Sequence, residues 1–106
     1  MSVPTQGEVW WAEAADLGRR PVLVVTRNAA LPVLNRILVA PVTRTVRDIP
    51  TEVDLGPQEG LRHPCAASFD NLQPIPRIAL IERAGGLGPA RRGEICRALG
   101  ALADCW

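Results

Sequence analysis

The sequence contains no lysine and no tyrosine, and it has only one histidine, His63. A single histidine cannot build a histidine-based zinc site, and it cannot supply a two-histidine acid–base mechanism. The three cysteines, Cys65, Cys96 and Cys105, have spacings that fit neither a disulfide framework nor a CxxC metal site. We expect all three to be small buried hydrophobic residues, and we expect no metal ion and no cofactor.

Long hydrophobic runs are also missing. No apolar stretch approaches the roughly 20 residues that span a membrane, and the N-terminal segment MSVPTQGEVW lacks a basic-then-apolar signal. We therefore expect a cytoplasmic protein with no membrane partner.

The composition is that of a globular protein. The chain has 106 residues, 47% of them hydrophobic and 22% charged, which excludes a disordered, collagen-like or heptad-repeat chain. There is no repeat, linker or low-complexity tract, so we predict one domain over residues 1–106.

Short β-like runs bounded by turn residues predict a mainly β (α+β) fold, a small, twisted antiparallel barrel. Pro41 cannot donate to a β-ladder, so we expect it at an edge or a bulge. Trp10 and Trp11 should point to opposite faces of the first strand, one into the core and one outward. The predicted strands are Glu8–Glu13, Pro21–Thr26, Arg36–Thr43, Thr51–Leu55, Cys65–Phe69 and Ile78–Arg83.

The hydrophobic period changes at the C-terminus. Ile95, Leu99, Leu102 and Trp106 recur at steps of 4, 3 and 4, as expected of a helix packed on the barrel. Pro89 suits the first turn of that helix.

Positive charge is concentrated in one part of the chain. Between Leu17 and Arg47 there are six arginines and no Asp or Glu, a local charge of +6 in a chain of net charge +1. The guanidinium fork binds phosphate through two hydrogen bonds and stacks on bases, which favours a nucleic-acid ligand. An arginine-only composition also fits a GC-rich coding sequence, so composition leaves both interpretations open.

Two segments place polar side chains at strand ends. Arg19 and Arg20 precede Pro21, whose fixed φ sets the direction of the arginine, and such a guanidinium can stabilise a phosphorane. Thr43 ends an apolar run, where its hydroxyl can bond a phosphate oxygen, with Arg44 beside it as a phosphate contact. In isolation, the arginines also fit a solvated turn and Thr43 an ordinary strand residue.

A third segment, Ser68–Gln73, follows a predicted strand. Its polar side chains are able to read base edges, although Asp and Asn in loops are also common turn formers.

Five sequence blocks occur in a fixed order: Gly7–Trp10, Arg20–Val25, Ile37–Thr43, Pro50–Leu55 and Ser68–Leu72. Together, over roughly residues 7 to 82, they resemble the MazF/PemK toxin family. The resemblance implies a small SH3-like, PemK-type antiparallel barrel with a C-terminal helix, usually dimeric. It also implies metal-independent, sequence-specific cleavage of single-stranded RNA, either mRNA or loops of tRNA or rRNA. The expected products are a 2′,3′-cyclic phosphate and a 5′-hydroxyl, the expected result is inhibited translation and growth, and the expected partner is a neutralising antitoxin.

The family's motifs also imply roles for individual residues. The catalytic arginine, directly before the Pro-Val strand, corresponds to Arg20, and the catalytic threonine, at the end of the third strand, corresponds to Thr43. Neither side chain is a natural base near neutral pH, so we assign charge stabilisation to Arg20, with proton donation as a second role, and positioning to Thr43. The base is left unassigned. The candidate RNA-binding residues are Arg19, Arg44, Asp70, Asn71 and Gln73.

The sequence departs from the family in its first loop. That loop is commonly longer, whereas Ala14–Gly18 is short. We expect its usual contacts to be missing and the groove to be open enough for a bulkier, structured RNA loop.

Two other functions use the same barrel. A CcdB-like toxin would poison DNA gyrase by binding it, without nuclease activity, and would have no need of the Arg20 and Thr43 pair. An SH3-like interaction module normally exposes several aromatics, and aromatic residues make up only 4% of this chain.

Overall fold

A computed structural model of the protein describes residues 3–105. The elements in this part of the chain are β1 (Glu8–Ala14), β2 (Gly18–Val24), β3 (Arg36–Thr43), β4 (Glu52–Leu55), β5 (Cys65–Ser68), β6 (Gln73–Pro76), β7 (Leu80–Gly86) and α1 (Gly93–Ala103). All six predicted strands are present, with small shifts in their bounds. No helix among the described residues has the length and apolar character needed to cross a membrane.

The strands form one curled antiparallel sheet with the order β4-β5-β3-β2-β1-β7, and β6 pairs with β3. The mainly β fold with a C-terminal helix is therefore confirmed. The strand β6, with the sequence Gln-Pro-Ile-Pro, was not predicted, because two prolines argue against a strand. Among the described residues β6 pairs with β3 alone, and an edge position tolerates residues that cannot donate to a ladder.

Pro41 lies in the central strand rather than at an edge or a bulge, so that prediction is wrong. The strand β3 pairs with β6 through Arg36–Val39 and with β5 through Val42 and Thr43. Pro41 falls between these two pairings, and opposite Val22 of β2. A residue without an N–H group is tolerated where the strand changes partner.

Hydrophobic clusters cover both faces of the sheet, because successive side chains of a strand alternate between faces. Leu23 and Val25 belong to the cluster under α1, and Val22 and Val24 belong to the cluster on the other face. We call the second one the lower cluster; it also contains Trp10, Ala12, Leu17, Leu31, Ile37, Val39, Ile75, Ala79 and Leu80.

The helix α1 packs with Ile95 and Ala98 buried and Leu99 partly buried. The predicted stripe is correct at Ile95 and Leu99, but Leu102, in the last turn of α1, is 40% exposed. Trp106 lies outside the described residues. Pro89 begins a separate 3₁₀ turn, Pro89–Arg91, ahead of α1.

The two adjacent tryptophans face opposite sides, as predicted: Trp10 is buried and Trp11 is half-buried. The prediction for the cysteines is correct only for Cys65. Cys96 and Cys105 are exposed, since Cys96 lies beside Ile95 off the buried stripe and Cys105 follows the end of α1.

The sheet is closed by a contact between backbones. The 3₁₀ turn Pro57–Glu59 and the following Gly60 cross β7 at Gly85. A Cβ atom on Gly60, whose φ is 90°, would overlap the Ala84 carbonyl, and one on Gly85 would overlap the Glu59 carbonyl. Because β4 and β7 do not pair with each other in the described part of the chain, this crossing joins the two ends of the sheet.

A buried carboxylate holds that turn. Glu59 accepts a hydrogen bond from the Gly56 amide at 2.6 Å and one from Arg91 at 3.1 Å. Arg91 also donates to Glu94 at 2.8 Å and to the Asp54 carbonyl at 2.6 Å. The segment before α1 is thereby attached to both β4 and the crossing turn.

Candidate active site

A tight hairpin fixes the position of Arg20. The turn that joins β1 to β2 spans residues 15–17, and within it the Leu17 amide donates to the Ala14 carbonyl at 3.1 Å. Gly18 follows with φ 70°, the left-handed conformation that commonly completes such a hairpin. Leu17 is buried in the lower cluster, so the hairpin is anchored and Arg20 follows it on β2.

Strand register brings Arg20 and Thr43 together. Val22 of β2 pairs with Pro41 of β3. Continued by two residues, the same register sets Arg20 across from Thr43 on the same face of the sheet. Both residues line one cleft of about 150 Å³, which lies at the end of the lower cluster.

The rest of the cleft is mostly polar. We call it the Arg20 cleft; its other lining residues are Asp16, Leu17, Pro41, Ser68, Asn71 and Gln73. They come from the hairpin, from β3, and from the chain around β5 and β6, so the site is assembled from segments distant in sequence.

Hydrogen bonds orient two hydroxyl groups of the cleft. The Thr43 Oγ1 atom accepts from the Thr45 amide at 3.1 Å. The Ser68 Oγ atom accepts from Asn71 Nδ2 at 2.9 Å. Among the described residues neither hydroxyl donates a hydrogen bond, so its proton is available to a ligand.

The two neighbouring arginines have different surroundings. The Arg19 guanidinium lies 3.8 Å from Glu13 and 5.7 Å from the centre of the Trp11 ring. Among the described residues, Arg20 has no hydrogen bond or ion pair to another side chain. Its charge is therefore available to an anionic ligand in the cleft.

The structure brings together some of the predicted site residues and not others. Asn71 and Gln73 line the Arg20 cleft with Arg20 and Thr43, whereas Arg19, Arg44 and Asp70 do not. The Asp70 carboxylate instead accepts a hydrogen bond from the Thr51 hydroxyl at 2.7 Å.

Arg44 is exposed, and its positive charge is close enough to affect the pKa of the Cys65 thiol. Burial and the nearby Glu59 raise the pKa of the Cys65 thiol, and the charge of Arg44 opposes this rise. The thiol is thus kept protonated, which suits a packing residue and not a nucleophile.

Two polar lining residues, Asp16 and Ser68, were not named as site residues, although Ser68 begins the segment Ser68–Gln73 that was singled out for reading base edges. Ser68 ends β5 as Thr43 ends β3, so its place at a strand end was a usable signal. Asp16 offered only its place in the short hairpin turn. Within residues 3–105, no group of three or more His, Cys, Asp or Glu side chains is arranged to hold a metal ion.

The chain matches the family model described as PemK-like, MazF-like toxin of type II toxin-antitoxin system over residues 5–103. It is 42% identical over 105 residues to the Probable endoribonuclease MazF5 of Mycobacterium tuberculosis (strain ATCC 25618 / H37Rv), covering 98% of this chain and 96% of that relative.

Solved structures agree with this match. The Mycobacterium tuberculosis toxin MazF-mt6 superimposes with a TM-score of 0.84 and 35% identity, over 92% of this chain and 96% of that one. An endoribonuclease in complex with its cognate antitoxin, from a mycobacterial species, gives a TM-score of 0.81 and 28% identity, over 95% of each chain. The protein described here therefore belongs to the PemK-like, MazF-like toxin family of type II toxin–antitoxin systems.

Proposed function

We propose that this MazF-type endoribonuclease toxin cleaves single-stranded RNA at short sequences without a metal ion, leaving a 2′,3′-cyclic phosphate and a 5′-hydroxyl. RNA cleavage of this kind inhibits translation and growth. The observation that carries the proposal is the shared cleft, in which an unpaired guanidinium, Arg20, lies across from an oriented hydroxyl, Thr43.

The reaction is an attack of the ribose 2′-oxygen on the adjacent phosphorus. The 2′-hydroxyl loses its proton, the new P–O2′ bond forms, and the P–O5′ bond breaks as the 5′-oxygen gains a proton. Between these events the phosphorus carries five oxygens and extra negative charge. Donors that are already in place when this charge develops stabilise it most, because no reorganisation is needed.

Arg20 supplies the main stabilisation in this mechanism. Its guanidinium is positively charged in the ground state and holds several N–H groups in a planar fork that matches phosphate oxygens. As a second role, Arg20 can donate a proton to the leaving 5′-oxygen. Thr43 donates its hydroxyl proton to a non-bridging phosphate oxygen. The hydrogen bond from the Thr45 amide to Thr43 Oγ1 orients this hydroxyl. The 2′ proton leaves to a base other than these two side chains.

The proposed partners are a second copy of the chain and an antitoxin protein. A structural neighbour is described as being in complex with its cognate antitoxin, which supports this assignment. Exposed apolar side chains outside both cavities, including Val33 and Leu34, offer surface for such contacts. Analytical ultracentrifugation of the purified toxin, alone and mixed with a candidate antitoxin protein, tests both partners.

The catalytic proposal is tested by incubating the purified protein with a long RNA in EDTA. We expect cuts at defined positions, and enzymatic end analysis should give cyclic phosphate and 5′-hydroxyl termini. Intact RNA under these conditions contradicts the proposal. If DNA gyrase is inhibited instead, the CcdB-like alternative is correct.

A further inference from the structure

A second cavity adjoins the Arg20 cleft. It has a volume of about 380 Å³, and Asp16 and Gln73 line both cavities. The two spaces therefore meet at these side chains. We call the second cavity the side groove; its other lining residues are Glu13, Ala14, Ala15, Arg36, Pro74, Ile75, Pro76, Ile78 and Ala79.

Size and lining separate the roles of the two cavities. The Arg20 cleft is small and polar, as suits a phosphate group and its ribose. The side groove is more than twice as large and has an apolar wall that includes the rings of Pro74 and Pro76. Ile78 extends this wall, and its side chain is 86% exposed, so a flat planar group has an apolar surface to lie against.

Most polar groups of the side groove already have partners. Glu13 faces Arg19 at 3.8 Å, and Arg36 donates to the Pro74 carbonyl at 3.3 Å. Asp16 and Gln73 differ, because in the described part of the chain neither side chain has a hydrogen bond or ion pair. The two free polar groups stand where the cavities meet.

Their chemistry specifies what they can recognise. A carboxylate only accepts hydrogen bonds, while an amide both donates and accepts. In single-stranded RNA the bases are unstacked and their Watson–Crick edges are open to such groups. Adenine, cytosine and guanine each present an exocyclic amino group to a carboxylate. Uracil has no amino group, and its single donor, N3–H, is flanked by two carbonyl oxygens that repel a carboxylate.

We propose that the side groove binds the base of a nucleotide next to the cut, and that Asp16 and Gln73 read its edge, admitting an amino-bearing base and rejecting uracil. This inference rests on the proposed function, since it assigns specificity to the same site. The phosphate in the Arg20 cleft and the base in the side groove then belong to one RNA strand passing Asp16. The β1–β2 turn is short, and it places the Asp16 carboxylate where the Arg20 cleft meets the side groove.

The test is cleavage of an RNA pool with randomised sequence, followed by sequencing of the cut ends. We expect the wild-type protein to disfavour uracil by roughly tenfold at one position beside the cut. Asp16→Asn should remove this discrimination, because an asparagine amide also donates to carbonyl oxygens. Gln73→Ala should weaken the base preference at the same position.

Asp54→Asn is the matched control, because Asp54 is an exposed carboxylate that lines neither cavity. We expect its cut-site preferences to equal those of the wild type. If Asp16→Asn and Gln73→Ala leave every base preference unchanged while the wild type cuts normally, the inference is wrong and the proposed function stands. If the wild type cuts no RNA, the proposed function itself fails.

Discussion

Arg19 and Arg20 are adjacent in the chain, yet they lie on opposite faces of β2. Arg19 stacks against Trp11 and faces Glu13, while Arg20 enters the cleft across from Thr43. Strand alternation explains the difference, but the sequence alone did not show which of the two would carry a paired charge. At this scale, function depends on which neighbour a guanidinium has.

We predict that Arg20→Ala lowers the RNA cleavage rate by about 10²–10³, the loss seen when a donor to a developing anion is removed. The fold should persist because Arg20 is exposed. Single-turnover cleavage of a short RNA measures the loss, and circular dichroism checks folding. Arg19→Ala serves as the matched control and should cost far less, since its charge is already shared with Glu13. Equal losses in the two variants would contradict the assignment.

Thr43 gives a second prediction at the residue scale. Thr43→Val keeps the shape of the side chain but removes the hydroxyl, so cleavage should fall roughly 10- to 100-fold, the value of a hydrogen bond to a charged group. Thr43→Ser keeps the hydroxyl and should retain most of the activity. Single-turnover rates of both variants decide the matter, and a serine variant as slow as the valine variant would exclude a role for the hydroxyl.

Sequence motifs named Arg20, Thr43, Asn71 and Gln73, and the structure places all four on one cleft. Asp70 was named from the same segment, but the 3₁₀ turn Phe69–Asn71 directs it toward Thr51. The direction of a side chain in a short irregular turn depends on tertiary contacts, which a sequence pattern does not contain. For the same reason Asp16, in the hairpin turn, was not assigned.

At the scale of elements, the β1–β2 hairpin decides how open the site is. Its turn occupies only residues 15–17, so no long flap covers the Arg20 cleft. We predict that a folded tRNA is cut at least as well as its unfolded anticodon fragment, because an open groove admits a structured loop. Cut fractions on the two RNAs at equal concentration measure this, and a clear preference for the unfolded fragment would contradict it.

The helix α1 is held on the sheet by few side chains, and Ile95 is the largest buried one, at 1% exposure. We predict that Ile95→Ala lowers the free energy of unfolding by about 2–5 kcal/mol, since it removes buried methyl groups and leaves a cavity. Leu102→Ala, at a position 40% exposed, should cost about 0.5 kcal/mol or less. Urea denaturation of both variants tests the pair, and similar midpoints would mean that α1 does not depend on this contact.

Most strands could be predicted because they are short β-like runs bounded by turn residues, and α1 because its buried stripe recurs with a helical period. The strand β6 escaped because its prolines suit an edge that only the pairing with β3 reveals. Pro41 gave a wrong prediction, an edge or a bulge, because the sequence does not show that β3 changes its partner from β6 to β5 at this point. Single elements could thus be predicted from the sequence, whereas the pairing between elements could not.

At the scale of the whole molecule, an ion-pair network joins α1 to the turn that crosses β7. In this network Arg91 binds both Glu94 of α1 and Glu59 of the turn. The hydrogen bond from Arg91 lowers the pKa of Glu94 below its ordinary value of 4.5, although partial burial opposes this shift. A lowered pKa means that the folded state favours the ionised carboxylate. Its contribution to stability is therefore present above pH 4.5 and lost as the pH falls through the pKa of the folded state.

We predict that the midpoint of thermal unfolding falls as the pH drops below 4.5, and that Glu94→Gln makes this fall shallower. Circular dichroism at a series of pH values measures both slopes. Glu82→Gln provides a control, because Glu82 is an exposed carboxylate of β7 outside this network. Parallel curves for the wild type and Glu94→Gln would show that other carboxylates govern acid unfolding.

The crossing of Gly60 over Gly85 has a consequence for how freely this protein can vary. Two backbones touch there without any side chain between them, so the tolerance of these positions is set by geometry and owes nothing to RNA. Random mutagenesis selected only for toxicity would accordingly report both glycines as essential, alongside Arg20. Thermal stability of the purified variants is what separates residues that shape the molecule from residues that do its chemistry.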